Sequence, residues 1–330
     1  MKDPSANFIN CYEDVQRSGA YATLEFANTY YLAYRDLPAI LSKHVSGKKA
    51  LDFGCGTGRS TRFLRNHGFH VIGVDVSEDM LRIAQATDPS GQYLLVPDDN
   101  FDRLEAGTFD LVLSAFTFDN IPGVMKTRIF RDLGKLLKPT GIIVSIVSSP
   151  EIYTHEWASF TTRDFPENAA ARSGDVVRIV VTDHQDRRSV EDIVWTDESY
   201  RAVYRDAALQ PIQVLKPLAT GEEPYPWVNE TKIAPWVIYL LRRSMYCQKR
   251  RSVTYLTPAC PFTRYNPSRH EYRRKNCRAE KAQSTCRRRR RREAPRAPAQ
   301  RGQDVGSGAH RVPARRGHLR RDRQAGHAPL

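Results

Sequence analysis

The chain has 330 residues, of which 40% are hydrophobic and 27% charged, with 51 Lys and Arg against 37 Asp and Glu. The excess is local: residues 246–330 hold 24 basic and 5 acidic side chains, leaving 27 and 32 in residues 1–245. The basic character therefore says nothing about the first three quarters, which read as an ordinary, mildly acidic globular domain.

The start Met-Lys-Asp-Pro-Ser has no apolar core of a signal peptide behind it, and no apolar run approaches the ~18 residues of a membrane span. Cys11 and Cys55 are the only cysteines before residue 246, which argues against a disulfide framework and for a reducing, cytoplasmic setting. Cys247, Cys260, Cys277 and Cys286 show no close pair of the kind structural zinc uses, so no metal is expected.

In chain order, Leu24, Ala27, Tyr31 and Tyr34 recur at helical spacing, and a second helix runs from Pro38 to His44. Residues 1–45 are thus expected as N-terminal helices, with a tyrosine available as a lid over a bound ligand. Leu51, Asp52 and Phe53 end a buried strand, and the helix Arg59 to His67 leaves the glycine turn that follows. Val71 to Asp75 is a second strand, capped onto the helix Glu78 to Ala86 by Ser77. Tyr93 to Val96 and Phe109 to Ser114 are strands three and four. A helix from about Val124 to Leu137, a turn at Lys138 to Gly141 and a buried strand Ile142 to Val147 complete the alternation. Such alternation predicts a parallel α/β sheet with ligands at the carboxyl ends of its strands.

Past strand five the pattern changes. Residues 148–196 are expected as an insertion on the substrate side, ending in an antiparallel hairpin, Val176–Thr182 with Val190–Thr196. A helix Glu198 to Ala207 and strands Ile212 to Lys216 and Pro235 to Leu241 follow. From about residue 246 the periodicity stops; Arg287 to Arg292 are consecutive arginines, and residues 246–330 are expected to be a disordered, Arg-rich tail. It reads either as a non-specific polyanion contact or as an out-of-frame extension of a GC-rich gene.

Strand, glycine turn and helix around the stretch Asp52-Phe-Gly-Cys-Gly-Thr-Gly58 form a nucleotide-binding arrangement for which two cofactor classes compete. Glycine at such a turn allows positive φ and close approach of a ligand to the backbone. A dinucleotide site would show G-x-G-x-x-G, whereas here Gly58 follows Gly56 by two positions. Asp52 at the mouth of the turn would repel a pyrophosphate but suits a cofactor with a cationic amino-acid end. Asp75, at the tip of strand two, is placed to accept ribose hydroxyls from either class, and an NAD-dependent enzyme is the weaker reading.

Taken together, Asp52 to Gly58, Val74-Asp-Val-Ser77, Asp98, Phe109 to Ser114 and Lys138-Pro-Thr-Gly141 resemble the successive motifs of class I S-adenosylmethionine-dependent methyltransferases. The resemblance covers about residues 20–245 and is nearest to enzymes acting on small molecules. It implies a Rossmann-like seven-stranded sheet, mostly parallel with an antiparallel last strand, and S-adenosylmethionine as cofactor. It places Gly54 and Gly56, with Asp52 before them, under the methionine portion, and Asp75 on the ribose hydroxyls. Val76 packs on the adenine, Asp98 (with Asp99 as alternative) meets the adenine amino group, and Ser114, Ala115 and Phe116 line the methionine side.

For the acceptor, no Asn/Asp-Pro-Pro-Tyr/Phe signature follows strand four; the chain reads Ser114-Ala-Phe-Thr-Phe-Asp-Asn-Ile-Pro122. That argues against a DNA base and for a small molecule methylated on oxygen, nitrogen or carbon. The alternative is a nucleic-acid-associated methyltransferase or binding protein using the tail. His155, on the loop after strand five, is the first candidate for a general base and Asp119 the second. Trp157, Phe160, Phe116 and Phe118 would suit a flat, apolar acceptor.

Overall fold

The computed structural model of the protein describes Gly19 and residues 22–24, 26–97 and 100–244. Asp98, Asp99 and the Arg-rich tail lie outside the described residues. Seven strands form one sheet in the order β3-β2-β1-β4-β5-β10-β9. These are β1 (Lys49–Phe53), β2 (His70–Asp75), β3 (Gln92–Leu95), β4 (Phe109–Ala115), β5 (Leu137–Ser148), β9 (Leu209–Leu215) and β10 (Trp236–Arg243). The first five pair in parallel. β10 runs antiparallel to both β5 and β9, so the last strand is the one reversed strand of the sheet.

Side chains alternate across a strand, and the central strands use both faces. Leu111, Leu113, Val144 and Ile146 point into one apolar layer, with Leu32, Leu37, Leu41 and Leu64 packed on them. Those four come from α1 (Thr29–Tyr34), α2 (Leu37–His44) and α3 (Arg59–Asn66). Leu51, Val112, Ile143 and Val237 point the other way, against Ile129, Phe130 and Leu133 of α5 (Gly123–Leu136) and Tyr204 of α6 (Asp197–Asp206). Each fully buried aliphatic side chain is worth about 1.5–3 kcal/mol relative to exposure, so a sheet covered on both faces needs no other anchor. The switch from strand to helix at residue 78 follows the expected cap: Ser77 Oγ accepts from Met80 N at 3.3 Å and opens α4 (Glu78–Thr87).

Three features differ from the sequence expectation. Lys138 to Gly141 is not a separate turn: it belongs to β5 as a bulge, since Phe109 pairs with Leu137 but Leu111 with Ile142. The helix α1 is short, and Leu24 and Ala27 precede it. Residues 148–196 carry a second sheet, β6 (Phe160–Thr161), β7 (Val176–Val181) and β8 (Val190–Ile193), in which the expected hairpin gains a two-residue partner.

Candidate active site

β1 ends at Phe53 because Gly54, at φ +69°, turns the chain, and Gly54 N and Cys55 N both reach Val74 O on β2, at 2.9 and 3.0 Å. Gly56 and Gly58 also take positive φ. The turn thereby crosses the carboxyl end of β1 and delivers the chain into α3. Gly56 N donates to Asp75 Oδ2 at 2.8 Å and Ser77 N to Asp75 Oδ1 at 2.9 Å. The two backbone bonds fix the carboxylate at the tip of β2 and leave each oxygen room to accept one more donor. Burial raises the Asp75 pKa, opposed by the backbone N–H groups of Ser77, Gly56 and Val76.

A cavity of about 420 Å³ opens at these strand ends. Gly54, Gly56, Asp75 and Val76 line one end together with the apolar Val74, Met80 and Val96, and Ala115 and Phe116 continue the wall. Val76 is 45% exposed, an unpartnered apolar side chain at the lip. The bare backbone of two glycines, an anchored carboxylate with spare acceptor capacity and an apolar slot match the parts of S-adenosylmethionine: amino-acid tail, ribose and adenine.

Two further expected residues stand behind the cavity rather than on its wall. Asp52 is fully buried; its Oδ2 accepts from Ser60 Oγ at 2.7 Å and Thr61 Oγ1 at 2.6 Å, both at the start of α3, while Oδ1 has no partner. Burial pushes its pKa up to about 6 against the two hydroxyl bonds, with Asp75 adding to the rise. Ser114 is also fully buried, and its hydroxyl has no partner.

The far end of the cavity is built by segments distant in sequence. Tyr30 of α1, Phe116, Phe160 of β6 and Trp236 of β10 form an aromatic wall; Phe116 and Trp236 ring centres are 4.6 Å apart, Tyr30 and Phe160 5.3 Å. Ile152, Ile179, Val181 and Val190 add aliphatic surface. Tyr30, rather than Tyr31 or Tyr34, is the N-terminal tyrosine on the cavity, and the Arg59 guanidinium lies 4.7 Å from its ring centre.

Of the residues expected to suit an acceptor, Phe116 and Phe160 line the cavity. Phe118 does not: it stacks on Phe130 at 3.9 Å under the opposite face of the sheet. Trp157 is buried, with Nε1 donating to Ile152 O at 2.9 Å.

His155 is likewise off the cavity. It borders a separate depression with Tyr153, Glu156 and Arg163, and its Nδ1 meets Thr154 Oγ1 and Glu151 O, at 3.0 and 3.1 Å. The chain turns through a short 3-10 segment, Pro150–Tyr153, which sends Tyr153 inward and leaves His155 facing its own loop.

Asp119 does reach the wall. Phe116 adopts φ +64°, an uncommon conformation for an aromatic residue, and this kink turns the end of β4 into the 3-10 turn Thr117–Asp119. Asp119 is 4% exposed and accepts from Ser148 N at 3.1–3.2 Å and from Ser148 Oγ at 2.9 Å. Asp192 of β8 lines the same wall, taking the Tyr153 hydroxyl at 3.1 Å. Its partnership with the site comes from a strand far along the chain, and no local pattern marks it in the sequence.

The chain is similar in sequence to known proteins. Residues 50–141 match a family model described as a methyltransferase domain. The chain is 27% identical over 209 residues to an uncharacterized methyltransferase of Bacillus licheniformis, covering 60% of this chain and 89% of that one. It is 33% identical over 108 residues to a putative methyltransferase of Bacillus subtilis, covering 31% and 42%. It thus spans nearly all of the first relative and less than half of the second. Among solved structures, an S-adenosylmethionine-dependent methyltransferase from Clostridium acetobutylicum superposes with a TM-score of 0.49 at 14% identity, covering 71% of this chain and 96% of that one. The matched stretch starts in β1 and ends in the β5 bulge, so the part of the chain that is similar to the methyltransferase-domain family holds the glycine turn, the acid of β2 and the end of β4.

Proposed function

We propose that the methyl acceptor is a small molecule bound in the far end of the same cavity. The observation that carries this reading is continuity: one cavity runs from the cofactor end to a part walled by Tyr30, Phe116, Phe160 and Trp236 and bordered by β7 and β8. A chamber roofed by an N-terminal helix and an inserted sheet suits a compact, largely apolar molecule better than a polymer strand. A 30% identity over 101 residues to a ubiquinone biosynthesis O-methyltransferase of Thiobacillus denitrificans, 43% of that protein, points the same way.

In this reading Gly54 and Gly56 present backbone to the methionine portion, Asp75 holds the ribose hydroxyls and Val76 packs on the adenine. Asp52 and Ser114 act from behind, Asp52 by fixing the first turn of α3 through Ser60 and Thr61. Bound S-adenosylmethionine supplies an electrophilic methyl group on sulfur. The protein's share is alignment and exclusion of water, which the aromatic wall provides. The helices α1 and α2 serve as the roof and residues 148–196 as the acceptor-side insertion. His155 has no part in it.

The test is a screen of small aromatic and aliphatic acceptors followed by release of S-adenosylhomocysteine, with RNA, DNA and protein substrates alongside. Turnover on a small acceptor is the expected result; turnover confined to the polymers would overturn the reading.

A further inference from the structure

The acceptor end of the cavity holds a buried charge cluster that cofactor binding does not use. Asp119 comes from the turn after β4 and Asp192 from β8, and both line the wall. With its amide nitrogen turned toward the acid, Asn120 donates to Asp192 Oδ1 and to Glu191 O, each at 3.0 Å. Behind them Lys126 of α5 is fully buried. Its Nζ donates to Phe118 O at 2.7 Å and lies 4.4 Å from the Trp195 ring centre and 5.2 Å from that of Tyr200. An unpaired buried ammonium costs several kcal/mol, so these partners and the nearby carboxylates are what make its position tolerable.

We propose that Asp119 is the general base for methyl transfer and that Asp192 and Lys126 position and tune it, so that the acceptor is a molecule that brings its own proton on a hydroxyl or amine. This rests on the small-molecule reading above. The acceptor's oxygen or nitrogen attacks the methyl carbon; the bond from that atom to carbon forms as the carbon–sulfur bond breaks. The O–H or N–H proton passes to the Asp119 carboxylate, leaving a neutral methylated product, S-adenosylhomocysteine and a protonated acid. Acceptors that arrive as anions, such as carboxylates or phosphates, are disfavoured by two acids in one low-dielectric wall.

The charge balance fits a base that works near neutrality. Burial raises Asp119, with Asp192 adding to the rise and Ser148 and Lys126 opposing it. Burial raises Asp192 as well, against the Tyr153 bond and Lys126. The groups facing the pair are Lys126 from α5, Tyr153 from the turn after β5, Tyr200 from α6 and Ser148 from β5; His184, Asp186 and Arg188 stand on the loop before β8, where Asp186 and Arg188 pair at 2.8 Å.

The bland alternative is that Asp119 merely caps Ser148, and pH profiles separate the two. With a hydroxyl or amine acceptor from the screen, kcat/KM should rise with pH through the pair's titration and then level off. Asp119→Asn should remove that rise and lower kcat/KM about 100-fold or more, with S-adenosylmethionine affinity unchanged. Asp192→Asn removes a like charge and should move the rise to lower pH; Lys126→Met removes an opposite charge and should move it to higher pH. Shifts in those opposite directions support the proposal, while an unmoved profile in all three variants overturns it.

An arm that needs no acceptor is the infrared difference spectrum of the full chain with S-adenosylhomocysteine. The wild type should lose one more protonated carboxyl across the neutral range than Asp119→Asn, in which Asp52 and Asp192 still titrate; identical spectra count against the base. Turnover of carboxylate acceptors only would overturn the acceptor class alone, whereas no turnover of any small molecule would overturn the small-molecule reading itself.

Discussion

Thr117 stands where a side chain on Gly54 would be. A Cβ on Gly54 would fall 2.2 Å from Thr117 Oγ1 and 2.3 Å from its methyl carbon, and the same hydroxyl donates to Phe53 O at 3.1 Å. The turn after β4 thus packs directly on the turn after β1, which is why both can border one cavity.

Gly54→Ala should therefore be costly twice over. The φ of +69° costs an L-residue about 1–2 kcal/mol, and the clash with Thr117 adds to it. We expect about 2–4 kcal/mol lost in chemical denaturation and at least about tenfold weaker S-adenosylmethionine binding. Adding Thr117→Ala should recover the steric share but not the conformational one. Wild-type stability in the single variant would show that the close approach is dispensable.

Asp75→Asn keeps the shape of the carboxylate but removes its charge, and one of its two atoms can no longer accept from Gly56 N or Ser77 N. Hydrogen bonds to a charged group are worth about 1.5–3 kcal/mol, so cofactor affinity should drop about 10- to 100-fold by calorimetric titration. Melting temperature without cofactor should change far less, because Val74 and the rest of β2 stay packed in the core. Unaltered affinity would remove Asp75 from the cofactor site.

The residues proposed to hold the cofactor lie close together along the chain, which is why sequence alone could propose them as a set. Asp52, Gly54, Gly56 and Asp75 belong to one strand–turn–helix–strand unit, and each motif carries its own conformational demand. The proposed acceptor end brings together Tyr30, Phe160, Asp192 and Trp236, whose proximity depends on strand pairing between distant segments, such as Trp236 against Ser148. Periodicity finds such residues as core or strand but not as neighbours. Loop position alone points to His155, and the backbone of Pro150–Tyr153 places it on a separate depression. The bulge at Lys138 to Gly141 was hidden because Pro and Gly signal a break without saying whether the strand resumes in register.

Asp52 should leave a signature in the pH dependence of stability. Its pKa rises from 3.8 to about 6 on burial. The folded state therefore keeps a proton that the unfolded chain has lost. The stabilising contribution is full below about pH 4 and disappears as pH climbs through about 6. Asp52→Asn does not titrate, so the variant should gain on the wild type over that window, by about 3 kcal/mol if the whole shift is realised. Urea denaturation of both proteins at pH values spanning the window measures the difference directly. A constant difference would mean that Asp52 is ionised throughout and that Ser60 and Thr61 compensate its burial.

Glu230 ties the aromatic wall together. Its fully buried carboxylate accepts from Thr29 Oγ1 at 2.6 Å, Ala158 N at 2.7 Å, Val228 N at 2.8 Å and Asn229 N at 3.1 Å. Thr29 in turn receives Trp236 Nε1 on its carbonyl at 2.7 Å and precedes Tyr30, while Ala158 leads into Phe160. One side chain thus joins three of the four segments that carry the aromatic wall. Glu230→Ala leaves buried donors unmet, at about 1–3 kcal/mol each before relaxation or water entry, so a net loss of about 3–5 kcal/mol is expected. The loss should be uneven. Amide exchange should quicken around residues 158–160 and 228–230, and the acceptor KM should rise at least about tenfold. S-adenosylmethionine affinity should stay within about twofold, because Gly54, Gly56 and Asp75 are held by β1, β2 and α3 and not by this clip. Equal losses of both ligands would instead make the two ends of the cavity one cooperative unit.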